Sequence, residues 1–97
     1  VRRPAEVLAD AVREQLGGFT PENVGELDVF FEDLRPVFSE LSEKMDALAT
    51  NLEEHNWIGR DTADHLHRVA NNCMAAAGDA DSAQETYATG PVRFWRR

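Results

Sequence analysis

Two stretches of apolar residues, spaced alternately three and four apart, flank the tripeptide Trp57-Ile58-Gly59, and this arrangement leaves the chain few folds to choose from. Before the tripeptide, Val24, Leu27, Phe31, Leu34, Phe38, Leu41, Met45, Leu48 and Leu52 form one unbroken seam. After it, Ala63, Leu66, Ala70, Cys73, Ala77 and Ala80 keep the same rhythm with smaller side chains. A period near 3.5 gathers each set on one face of an α-helix. Two such faces joined by a short turn specify an antiparallel helical hairpin. Bulky residues on one helix opposite alanines on the other let the two approach closely and interdigitate.

The fold class expected is therefore all-α: an antiparallel hairpin with a short extra N-terminal helix, pairing into a four-helix-bundle-like dimer. All 97 residues belong to one domain. The short helix spans 4–16, where Val7, Leu8, Ala11, Val12 and Leu16 make an amphipathic stripe ended by Gly17-Gly18. The long helix spans 21–55, with Thr20 as its N-cap, Pro21 in the first turn, and a kink at Pro36. The turn spans 56–60. There Asn56 and Gly59 supply left-handed backbone, Gly59 leaves room for the reversal, and Trp57 plugs the end of the interhelical groove. A second long helix spans 61–88, capped by Asp61, with Gly78 a weak point and Asp79 able to cap a restart. Residues 89–97 form a basic aromatic tail ending Phe94-Trp95-Arg96-Arg97, expected to be mobile or to fold back on the acidic body, with weak insertion at a membrane surface or docking on an acidic partner as the alternative.

The expected interface and core seam consists of Leu27, Phe30, Phe31, Leu34, Val37, Phe38, Leu41, Met45, Leu48, Leu66, Ala70 and Cys73. Phe30 and Val37 form a second line beside the main one, making the stripe wider than one partner helix needs. That line suits the N-terminal helix or a second subunit.

Charge narrows the possible partners. The net charge is −8, and six of the ten basic residues lie near the two ends, so the hairpin body is strongly acidic. Nucleic acid is disfavoured, because its phosphates would be repelled. No apolar run approaches the roughly 20 residues that span a bilayer. No apolar signal-peptide core is visible, so the expected location is the cytoplasm or outside the cell by a non-classical route.

Chemistry is sparse. His65 and His67 are two apart on a helix and diverge, so they cannot chelate one ion together; Asp61 and His65 lack a third ligand. Cys73 sits on the seam and reads as a small packed residue. Acid pairs such as Glu32/Asp33 and Glu53/Glu54 diverge and have no accompanying base, oxyanion donor or phosphate loop. Neither a catalytic site, a metal nor a cofactor is expected.

A helix of about 35 residues, a Trp-x-Gly turn and an alanine-rich second helix resemble the WXG family, small helical-hairpin proteins exported by type VII (ESX-type) secretion systems of actinobacteria and Gram-positive bacteria. The matching residues are Trp57 and Gly59, with Pro21 upstream and Ala63 and Leu66 after the turn, over roughly residues 21 to 88. The resemblance implies a non-enzymatic substrate, co-secretion partner or chaperone, forming a homodimer or a heterodimer with another helical hairpin. Family export uses a C-terminal Tyr-x-x-x-Asp/Glu signal. Here Tyr87 is followed by Pro91 at the acidic position, so export is expected to depend on a partner. The alternative reading is an intracellular acidic adaptor or regulator that sequesters a basic protein.

Overall fold

The first local decision is made at Asn23. Its side-chain Oδ1 accepts a 2.9 Å hydrogen bond from the Glu26 amide, while the Glu26 carboxylate accepts from the Glu22 amide at 2.6 Å. These two bonds satisfy donors that a helix start otherwise leaves exposed, in the manner of a capping box. The computed structural model describes residues 3–90 and shows the consequence: a helix from Val24 to Glu54. Two others accompany it, from Pro4 to Gly17 and from Arg60 to Thr89. In chain order these are α1 (Pro4–Gly17), α2 (Val24–Glu54) and α3 (Arg60–Thr89), with no strand among the described residues. The residues from 91 onward, including Phe94-Trp95-Arg96-Arg97 of the expected tail, lie outside the described set.

The asparagine cap corrects the expected start at Pro21. Thr20 and Pro21 precede the helix, because Asn23 followed by Glu26 closes two hydrogen bonds that the Thr20 frame does not. Pro36 lies inside α2, which continues through it as one element. Gly78 is likewise interior to α3, so no restart occurs at Asp79.

α2 and α3 pack against each other along the hairpin. The fully buried residues are small: Ala49 and Ser42 on α2, and Ala63, Ala70, Ala77 and Ala80 on α3. Ala63, Ala70 and Ala77 recur every seven residues, so one methyl-sized row lies along the contact line. The bulky seam residues Leu27, Phe31, Leu34, Phe38, Leu41, Met45 and Leu66 are half-buried at its margins, as is Cys73.

Leu48 departs from the expected seam. It is 46% exposed, and Ala49 takes its place in the contact. A strict 3.5-residue repeat stays on one line only if the helix supercoils fully; a straighter helix drifts by about 20° per heptad. Over four heptads that drift moves the contact from Leu48 to Ala49.

α1 contributes no buried residue. The molecule is elongated, with principal extents of 55 × 29 × 13 Å. The radius of gyration is 17.0 Å, against about 12.5 Å for a compact chain of this length. The fold is an open plate with an arm.

Candidate functional site: a two-faced hairpin

The reversal between α2 and α3 is made by the backbone. Asn56 adopts φ 60°, the left-handed conformation expected of it. The Trp57 amide then donates to the Leu52 carbonyl at 2.9 Å, and the Asn56 amide to the Glu53 carbonyl at 3.1 Å. This 6→1 and 5→2 pair is a Schellman motif, which satisfies carbonyls at the end of α2. His55 Nδ1 adds a contact to the Asn51 carbonyl at 2.9 Å.

Three expectations for the turn are corrected here. Trp57 is 78% exposed, so its indole does not plug the groove. The buried positions along the contact are alanines and Ser42, so small side chains line the groove. Gly59 has φ −85°, outside the left-handed region, and a Cβ placed there would meet nothing within 4 Å. It serves instead as the N-cap of α3, with the Ala63 amide donating to its carbonyl at 3.0 Å. Asp61 falls inside the first turn, where its charge faces the positive end of the helix dipole.

Three polar pairs cross between the helices. Arg60 Nε lies 3.5 Å from Glu53, His67 Nδ1 lies 2.5 Å from Asp46 Oδ1, and Arg35 Nε lies 3.7 Å from Asp81. Arg60, His67 and Asp81 fall on one heptad frame of α3, and Asp46 and Glu53 on one frame of α2. All three pairs thus lie along the same broad face of the plate. Each is substantially exposed, so each contributes at most about 1 kcal/mol. Their larger effect is on register, because a slip of one residue would separate all three.

The opposite face is apolar. At about 100° per residue, Phe30, Val37 and Leu48 fall on the side of α2 away from Arg35, Asp46 and Glu53. Val69 is related in the same way to His67 on α3. Val37 is 59% exposed, Leu48 46% and Val69 44%. These residues, flanked by Leu34, Leu41 and Cys73, make an apolar strip that Lys44 interrupts between Val37 and Leu48. Phe30 and Val37 were expected beside the main seam, and they lie here. Leu48 joins them, and Val69 was missed because an isolated valine between His67, Arg68 and Asn71 carries no seam spacing.

An aromatic chain closes the end of the hairpin far from the turn. Phe19 stacks on Phe30 (centroids 4.8 Å apart, planes at 18°), Phe30 meets Phe31 edge-on at 5.5 Å, and Phe31 stacks on Tyr87 at 4.8 Å. Offset and edge-to-face rings at these separations are favourable beyond their area alone. A shallow depression lies beside this chain, lined by Phe19, Asn23, Gly25, Glu26, Val29 and Phe30.

Among the described residues, no group of three or more His, Cys, Asp or Glu side chains is placed to hold a metal ion, and no helix is long and apolar enough to cross a membrane. No protein-family model, curated protein or solved structure matches this chain.

Proposed function

We propose that this chain is a non-enzymatic, WXG-like helical hairpin that works by helix–helix association with a second chain, as a substrate, co-secretion partner or chaperone of a type VII secretion system. The observation that carries the reading is the incomplete core. Among the described residues no large side chain is fully buried, and a strip of bulky apolar residues runs along one face of the hairpin. Burying such surface is the main favourable term in folding and association. The antiparallel pairing of α2 and α3 around the Trp57-Ile58-Gly59 segment supports the family resemblance. Tyr87 makes a ring stack with Phe31, and no acid follows it at the fourth position, so export in this reading is carried by the partner.

The second reading is an acidic adaptor that sequesters a basic protein. Residues 21–90 hold fifteen Asp and Glu against four Lys and Arg, which favours a cationic partner over a neutral one. The two readings part on one experiment. The tagged chain is expressed in a host with an active type VII system and in the same host lacking the secretion ATPase. Appearance in the medium only with the ATPase supports the first reading. Retention in both hosts, with a basic protein bound at a salt-sensitive affinity, supports the second.

A further inference from the structure

We propose that α1 is an exchanged arm: in a dimer of this chain, the apolar stripe of each α1 lies on the apolar face of the partner's hairpin. This goes beyond the proposed secretion role and does not depend on it. Four observations lead to it. First, α1 is a formed helix of 14 residues that buries nothing of its own, with Leu8 57%, Val12 56% and Leu16 51% exposed. An isolated helix of this length is marginal in water without an apolar surface to rest on. Second, the hairpin offers such a surface in Val37, Leu48 and Val69, which are 59%, 46% and 44% exposed, continuing from Phe30, on which Phe19 stacks.

Third, the linker between them is anchored beside that surface. Phe19 is stacked on Phe30, and the Asn23, Glu26 and Glu22 hydrogen bonds fix the entry to α2. Pro21, with its restricted φ, lies between these two pins. Phe19 therefore sits at the edge of the apolar strip and begins the contact that a second copy's arm would extend. Fourth, charge favours an arm over a second hairpin as the occupant. Residues 21–90 carry fifteen acids and four bases, so two hairpins face to face would repel. The arm is nearly neutral, and its arginines are already paired, Arg3 with Glu6 and Arg13 with Asp10.

The size is adequate. An arm about 21 Å long and 10 Å wide removes roughly 400 Å² from each side of its contact. Two reciprocal contacts then bury about 1,600 Å², the size of a standard specific interface. The chain exposes 7566 Å², about 2,000 Å² more than a compact monomer of its mass.

The test uses full-length protein, sedimentation equilibrium and two variants at exposed positions, so that the hairpin itself stays folded by circular dichroism. Val12→Asp disables the arm, and Val37→Asp disables the face. The expected result is a wild-type dimer, at least tenfold weaker dimerisation for each variant alone, and recovery of dimer when the two are mixed. Recovery follows because the Val37→Asp chain still has an arm and the Val12→Asp chain still has a face. A wild type that stays monomeric at high micromolar concentration overturns the proposal. So does a dimer that survives Val12→Asp but is lost with Val37→Asp, which would mean direct packing of two hairpins and leave the secretion reading intact. Loss in both variants without recovery on mixing also overturns it, since arm and face would then belong to one undivided contact.

Discussion

α1 and α2 are both amphipathic, and only one of them buries its stripe. The stripe of α2 meets a row of methyl groups at Ala63, Ala70 and Ala77, which lets the two backbones come close and hold the leucines and phenylalanines at the margins. The stripe of α1 is made of Val7, Leu8, Val12 and Leu16, and each of these stays 41–57% exposed. The difference lies in the apposed surface. Periodicity gives a helix an apolar face, but matching relief and a linker of the right geometry decide where that face goes. In this molecule the tight Schellman turn delivers α3 to α2, whereas α1 keeps its stripe largely exposed.

That comparison breaks most sharply at the alanine row. Ala70 is 1% exposed, and a Cβ is all the contact admits. Ala70→Leu should force the helices apart and cost about 1–3 kcal/mol or more. For a chain of this size each kcal/mol lowers the thermal midpoint by roughly 4–8 °C, which calorimetry reads directly. Leu8→Ala on α1 makes the reverse change in size, yet it should leave the unfolding of a dilute, dissociated sample within about 0.5 kcal/mol of the wild type. Equal losses from the two substitutions would mean that α1 is packed within its own chain.

The next effects test the turn and the helix behind it. Asn56 is held at φ 60°, where a residue with a plain Cβ is disfavoured by about 1–2 kcal/mol. Asn56→Ala should lower stability by about 1 kcal/mol in urea titration, and Asn56→Gly should restore or exceed the wild-type midpoint. Gly78 sits inside α3 with open space around its missing side chain. Gly78→Ala should therefore stabilise the hairpin by about 0.5–1 kcal/mol. A loss there would mean that another chain approaches the helix at that point.

The hairpin was legible because spacing and residue size carry the same message: Ala63, Ala70, Ala77 and Ala80 of the α3 seam are buried, and α2 and α3 reverse where the tripeptide stands. What the spacing alone did not reveal was set by hydrogen bonds and drift. The start of α2 depended on whether Thr20 or Asn23 found an amide to accept from, and Asn23 has Glu26 to complete the arrangement. Leu48 left the seam because a long helix does not keep a 3.5 repeat without supercoiling fully. The polar pairs at Glu53, Asp46 and Arg35 were hidden for another reason. They depend on which residues face each other across the hairpin, which only the geometry of the turn fixes.

The smallest effect is the most telling about Trp57. A buried plug of that size would cost roughly 3 kcal/mol or more on truncation to alanine. Trp57 is 78% exposed, and its contribution to the turn is a backbone bond to Leu52 that any residue except proline can make. Trp57→Ala should thus change the unfolding free energy of the isolated chain by less than about 0.5 kcal/mol. A large loss would place the indole back in the groove and undo the account of the alanine rows. A negligible loss leaves a large aromatic side chain held in solvent at the tip of a rigid hairpin.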